Sequence, residues 1–122
     1  MANLVNGVDL IEISRIQSAA ERHGDRFLHR VFTRKELSLF GSSMPSLAAR
    51  FAAKEAVAKA LGCGIGDVLW VEIEVLRGDN GQPELHLHGN AKAMAGEAGL
   101  HTWSISLSHS MDYAIAMVTA MG

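Results

Sequence analysis

Arg50-Phe51-Ala52-Ala53-Lys54-Glu55-Ala56-Val57-Ala58-Lys59-Ala60-Leu61-Gly62 reads as one amphipathic helix, and the rest of the chain is organised around it. Leu47, Phe51, Val57 and Leu61, with alanines between them, give the apolar face that a helical period requires. Arg50 and Lys54 are four residues apart, as are Glu55 and Lys59, so the members of each pair stack on the helix surface. Ser43 or Ser46, with Pro45, supplies a start signal, and Gly62 falls where a helix ending in left-handed geometry wants glycine. Taken alone, the pattern fits a solvated face with paired charges as well as a charged face turned towards a ligand.

A length of 122 residues suits one domain, 1–122, with a core of its own. With 48% hydrophobic and 20% charged residues, the balance is that of a soluble globular protein. The formal net charge of −2 argues against a general nucleic-acid binder, although charge can still be segregated locally. Cys63 is the single cysteine, which excludes an intrachain disulfide and suits a small half-buried residue. No apolar run approaches membrane-spanning length, and six histidines without a cysteine cluster lack zinc-site spacing. The expectation is a cytoplasmic, reduced protein with no membrane or nucleic-acid partner.

Before the central helix, Leu4, Val5, Val8, Leu10, Ile11 and Ile13 mark a buried strand over residues 2–13 that turns helical near residue 11. Asp9 lies at that changeover, either as an outward carboxylate on a rigid strand or as an acid favoured by a helix N-terminus. Residues 12–32 continue as a helix broken or bent at Gly24. Its Arg15, Arg22, Arg26 and Arg30 keep to one stripe if the helical phase survives the glycine. Such a stripe suggests docking to something acidic, or a solvated face partly paired with Glu12, Glu21 and Asp25. Thr33-Arg34-Lys35-Glu36 is a capping-box pattern that starts a short helix.

After Gly62 the period changes. Val71, Ile73 and Val75 alternate with Glu72, Glu74 and Leu76, Asp79-Asn80-Gly81 is a turn, and Leu85 and Leu87 alternate with His86 and His88. His86 and His88 share a strand face, where exposed positions are a simpler account than chelation. Asn90 caps a short alanine-rich helix ending at Gly99. Trp103, Ile105 and Leu107 alternate with Ser104, Ser106 and Ser108, and a turn at Ser110-Met111-Asp112 leads to Tyr113, Ile115 and Met117 as a second hairpin. The scattered methionines read as core filler. The order is β-α-α-α-β-β-α-β-β, an α+β fold with helices packed on a mainly antiparallel sheet.

Three features point outwards from rigid elements: Asp9, the Arg50–Lys59 face, and Ser106-Leu107-Ser108-His109. Two carboxylates from separate elements, completed by waters and phosphate oxygens, suit magnesium. Neighbouring lysines offset phosphate charge, and a histidine at a strand end can bind a further phosphate or shuttle a proton. Together these features point to phosphoryl transfer.

Gly7-Val8-Asp9-Leu10-Ile11-Glu12-Ile13 with Arg15, Arg50-Phe51-Ala52-Ala53-Lys54-Glu55-Ala56 with Lys59-Ala60-Leu61-Gly62, and Ser106-Leu107-Ser108-His109 resemble the holo-acyl-carrier-protein synthase family. This family is the short bacterial type of 4′-phosphopantetheinyl transferase, and the resemblance runs essentially end to end. It implies the transferase fold and transfer of 4′-phosphopantetheine from coenzyme A to a serine of apo-acyl carrier protein, releasing adenosine 3′,5′-bisphosphate, in support of fatty acid biosynthesis. It further implies magnesium on Asp9 and Glu55, and coenzyme A phosphates at Lys59. Arg50, Lys54, Gly62 and His109 are the further coenzyme A contacts, with Asp9, Glu55 and Lys59 as the catalytic set. Arg15, Arg22 and Arg26 would meet the acidic helix of the carrier, and a homotrimer would place active sites between subunits. The rival readings are a non-catalytic coenzyme A or nucleotide binder and a module that docks an acidic protein.

Overall fold

The order of elements follows from where strand and helix periods give way to each other. The computed structural model describes residues 3–122, so the expected strand start at residue 2 lies outside the described residues. The elements are β1 (Leu4–Glu12), α1 (Ile13–His23), α2 (Asp25–Val31), α3 (Arg34–Phe40), α4 (Met44–Ala60), β2 (Ile73–Arg77), β3 (Pro83–Leu87), α5 (Gly89–Glu97), β4 (Thr102–His109) and β5 (Tyr113–Met121). A 3-10 turn at Trp70–Glu72 precedes β2. β1 runs past the changeover expected near residue 11 because β5 pairs with it as far as Glu12, opposite Tyr113. The Ile13 N–H then donates to the Asp112 carbonyl, 2.8 Å away.

Gly24 divides what the sequence suggests is one bent helix into two. At φ 57° and ψ −138° it leaves helical space, its N–H closing α1 on Ala20 while its carbonyl receives the N–H groups of Phe27 and Leu28 in α2. Four helices therefore separate the first two strands, one more than expected. α3 starts from the complete capping box of Thr33 and Glu36, as the sequence predicts. Ser43 caps α4. At the other end, Gly62 (φ 77°) donates to Lys59 and Cys63 donates to Ala58, the paired bonds of a Schellman ending.

All strand pairs are antiparallel, but they form two sheets: β1-β5-β4 and, separately, β2-β3. α4 packs on the three-stranded sheet, and it is not the amphipathic surface helix that its spacing suggests. Ala48, Ala49, Ala52, Ala53, Ala56, Ala58 and Ala60 are all buried, together with Leu47, Val57, Arg50 and Lys54. Opposite them β5 turns Ala114, Ala116, Val118 and Ala120 inwards. Small residues on both sides let helix and sheet approach closely. Gly7 sits at the tightest point, where a β-carbon would run into the backbone carbonyl of Ala56. A second cluster of Val31, Phe32, Phe40 and Leu47 fills the space between α2, α3 and α4.

The larger apolar residues of β5 and their partners in β1 face the other way. Val8 lies opposite Met117 and Leu10 opposite Ile115, and all four are exposed, Leu10 to 60% and Met117 to 55%. Methionine is accordingly not general core filler: Met44 and Met94 pack against the core, whereas Met111, Met117 and Met121 are exposed. Glu74 also departs from strand alternation. It is buried on β2 because Thr33 donates to it at 2.6 Å and His88 bonds it at 3.0 Å. Asn90 is not the cap of α5. The Glu72 carboxylate accepts the Asn90 N–H at 2.8 Å, and the Asn90 side chain bonds the Asp67 carbonyl instead.

Candidate active site

α4 and β1 together build the candidate site. Asp9 is on the α4-facing side of the sheet, in the row Asp9–Ala116–Leu107. Glu55 and Lys59 stand one helical turn apart and face it. The Lys59 ammonium donates to the Val8 carbonyl at 2.9 Å and to Asp9 Oδ1 at 3.3 Å. The pairing is therefore between helix and strand, not along the helix between Glu55 and Lys59. Burial, and then the Asp9 charge, push the Glu55 carboxyl above its ordinary value, and Lys59 opposes them. Two carboxylates and a half-exposed ammonium thus share one spot where the sheet meets the helix.

This donor set fits magnesium. The carboxylates are hard oxygen ligands held by separate rigid elements, and the repulsion Glu55 feels from Asp9 is what a cation between them would relieve. Among the described residues no group of three or more His, Cys, Asp or Glu side chains converges on one point. An ion here would complete its shell with water and substrate oxygens, as magnesium commonly does.

His109 belongs to the same face of the sheet. It ends β4 in the row Ile11–Ala114–His109, next to the Asp9 row, and is exposed. Two strand spacings, ~10 Å, separate it from β1. It can meet a ligand that reaches across β5 but not the Asp9–Glu55 pair itself. Gly62, just past α4, is exposed beside the same helix end.

Lys54 does not face a ligand. Its side chain is 0% exposed, and its ammonium donates to Glu36 Oε1 at 2.8 Å, to the Trp70 carbonyl at 3.1 Å and to the Ile73 carbonyl. With its three protons placed, it has none left for a phosphate, and the expected coenzyme A contact at Lys54 is corrected to an internal ion pair. Burial lowers its pKa, against the raising effect of Glu36.

Arg50 is also buried and lies ~140° round the helix from Glu55. Its guanidinium stacks 3.5 Å from the Phe40 ring centre, and its Nε donates to the Val75 carbonyl at 3.4 Å. Arg77 approaches the same ring at 5.1 Å. Burial, and then Arg77, lower the Arg50 pKa to about 10. Among the described residues neither arginine has a carboxylate in salt-bridge contact. Within one chain Arg50 therefore does not join the Asp9 cluster.

Sequence reasoning missed the chain of polar groups that runs from buried Lys54 and Glu36 through half-buried Thr33 to buried Glu74 and exposed His88. The capping box announced Thr33 and Glu36, but no local signal revealed that the same carboxylate also takes Lys54 and the Val75 N–H.

The basic stripe persists across the break at Gly24. Arg15, Arg22 and His23 line one groove of about 270 Å³, and His23, Arg26 and Arg30 line the next, of about 330 Å³, with Phe27 at its floor. All four arginines are exposed. Among the described residues none pairs with Glu12, Glu21 or Asp25; Glu21 instead accepts from Gln17.

Comparison with known proteins bears on this arrangement. Residues 6–118 match the family model of the 4′-phosphopantetheinyl transferase superfamily. A holo-[acyl-carrier-protein] synthase of Herpetosiphon aurantiacus is 53% identical over 126 residues, covering 98% of this chain and 99% of the relative. Among solved structures, the Helicobacter pylori holo-[acyl-carrier-protein] synthase in complex with coenzyme A superposes with a TM-score of 0.86. Its identity is 30%, over 94% of this chain and 98% of the other. The Bacillus anthracis enzyme in complex with CoA (3′,5′-ADP) is 32% identical with a TM-score of 0.78, covering 97% and 96%.

Proposed function

Since the chain belongs to the 4′-phosphopantetheinyl transferase superfamily, we propose that it transfers the 4′-phosphopantetheine group of coenzyme A to a serine of apo-acyl carrier protein. Residues 1–122 form the transferase domain. The observation that carries this reading is the meeting of Asp9, Glu55 and Lys59 where β1 crosses α4, in a chain whose relatives are holo-acyl-carrier-protein synthases. The serine hydroxyl gives up its proton to solvent as its oxygen bonds to the β-phosphorus, the bond from that phosphorus to the bridging oxygen breaks, and adenosine 3′,5′-bisphosphate leaves with the electron pair. Chromatographic detection of that bisphosphate, formed only when apo-carrier is added to coenzyme A, tests the reading.

Asp9 and Glu55 would hold magnesium, which when bound would offset charge on the pyrophosphate. Lys59, half exposed on a flexible stem, leaves Asp9 for the phosphates and stabilises charge that grows on the departing oxygen. Gly62 keeps the end of α4 free of a side chain beside them, and His109 meets a more distant coenzyme A phosphate across β5. A cytoplasmic location belongs to the same reading.

Arg15, Arg22 and Arg26 form the carrier-docking surface, for they are exposed, without a salt-bridge partner among the described residues, and continuous with two grooves. Reversing charge in an Arg15→Glu/Arg22→Glu variant should weaken binding of apo-carrier at least tenfold while leaving coenzyme A affinity within about twofold, and the loss should shrink as salt rises. Calorimetry with each ligand separately decides the matter; equal weakening of both would speak against a docking surface.

A homotrimer with active sites between subunits completes the proposal. The apolar face of Val8, Leu10, Ile115 and Met117 supports a partner of the same kind. The Arg50–Arg77 pair, with no carboxylate in salt-bridge contact among the described residues and turned away from Glu55, suits the coenzyme A phosphates of a neighbouring copy. Ile115→Glu puts a charge on the apolar face without touching the core, and should convert the assembly to monomers in light scattering. An unchanged mass would place the contact elsewhere.

A further inference from the structure

Glu55 and Lys59 face Asp9 at only one rotation of α4 about its axis, and the alanine-rich face of α4 leaves part of that choice to directional bonds. At 100° per residue a slip of one position would swing Glu55 away from β1. The helix is lined with alanines and meets the alanines of β5. Methyl groups make shallow ridges, so they give close contact without a strong preference for one setting.

Beside the single Arg50–Val75 bond and the exposed Lys59 bonds to Val8 and Asp9, the densest set of such bonds is centred on Lys54. The Lys54 ammonium reaches Glu36, the Trp70 carbonyl and the Ile73 carbonyl, and Glu36 in turn accepts the Thr33 N–H at 2.9 Å and the Val75 N–H at 2.8 Å. Both side chains are 0% exposed. Each is fully bonded, so the network is rigid. It ties α4 at a single residue to the start of α3, the 3-10 turn and β2. Buried ion pairs of this kind often add little stability over apolar residues of the same volume. Their value here is angular.

We propose that Glu36 and Lys54 are positioning residues, setting the rotation of α4 and so aiming Glu55 and Lys59 at Asp9. The inference rests on the reading of Asp9, Glu55 and Lys59 as the reaction site. Neither residue touches substrate; both act through the helix.

The test is a Glu36→Gln/Lys54→Met double variant, which removes both charges at similar volume. It is compared with wild type and with Leu100→Ala, a truncation of a buried residue beyond α5. Each protein is assayed for transfer where denaturation curves show it more than nine-tenths folded, and rates are expressed per folded molecule. The double variant should lose about a hundredfold in kcat, the scale of a misplacement near 1 Å, with KM for coenzyme A changed less than about threefold. Leu100→Ala should lose stability but keep kcat. A double variant that turns over within twofold of wild type, or a Leu100→Ala protein that loses kcat equally, overturns the inference. If the double variant does not fold, Glu36→Gln alone decides. It turns an amide N–H towards the Val75 N–H at unchanged volume, and a tenfold or greater loss of kcat supports the inference while none overturns it. A wild type that transfers nothing overturns the functional reading, and this inference with it; an active wild type beside an equally active variant overturns this inference alone.

Discussion

Glu55→Gln should cost about a thousandfold in kcat/KM, ~4 kcal/mol of transition-state stabilisation, while leaving the fold unchanged or more stable. The two halves of that expectation have one cause. Burial and the nearby Asp9 hold the Glu55 carboxyl above its ordinary value, so its ionised form is less welcome in the folded protein than in the unfolded chain. The stability associated with neutral Glu55 is intact below the unfolded value and is lost as pH rises through the folded one. At neutral pH, glutamine removes the repulsion at equal volume. Melting in the absence of metal should therefore show Glu55→Gln at or above wild type, and the gap should close as the pH is lowered to where Glu55 is protonated. The same substitution removes one of the two carboxylates that would hold a cation, hence the loss of turnover. Near-normal turnover in magnesium would remove Glu55 from its proposed role, and a markedly less stable variant would contradict the electrostatic account.

Gly7→Ala is the second large effect. The new β-carbon would collide with the Ala56 carbonyl, and neither backbone can yield without parting β1 from α4. A backbone collision in a close-packed interface costs about 3 kcal/mol, roughly 10 °C in melting temperature for a domain of this size. Because Asp9 lies two residues along the strand and Lys59 one turn along the helix, the separation also opens the site. Turnover of the folded fraction should fall more than tenfold, an estimate on the scale of small misplacements. Thermal melting and an assay at low temperature separate the two losses. An alanine variant that melts with wild type would show that the contact between strand and helix is looser than the structure has it.

Local chemistry makes much of this legible in the sequence. The Thr33–Glu36 capping box, the Ser43 and Gly62 ends of α4 and the arginine stripe each depend on residues a few positions apart, and each stands as expected. What failed depended on distant partners. Lys54 and Arg50 looked like surface charges because helical spacing says where a side chain points but not what waits there. Glu36, Trp70 and Ile73 meet Lys54 from 16 to 19 residues away. Lys59 looked like the partner of Glu55, four residues off, and pairs instead with Asp9, 50 residues away. In β5 both alternating sets are apolar, so periodicity alone does not say which face is buried. The approach of α4 decides it, because only Ala114, Ala116, Val118 and Ala120 are small enough for the inner side. The larger Ile115 and Met117 are left outside.

The meeting of Asp9, Glu55 and Lys59 is proposed above as a phosphopantetheinyl transfer site. Its most direct test is the intact mass of an apo-acyl carrier protein after incubation with the protein, coenzyme A and magnesium. The account predicts a gain of one phosphopantetheine group on the carrier serine, lost when that serine is replaced by alanine, when magnesium is chelated, or when Glu55→Gln is used at the same concentration. A carrier whose mass stays at the apo value with the wild-type protein, under conditions where coenzyme A binds, would contradict it.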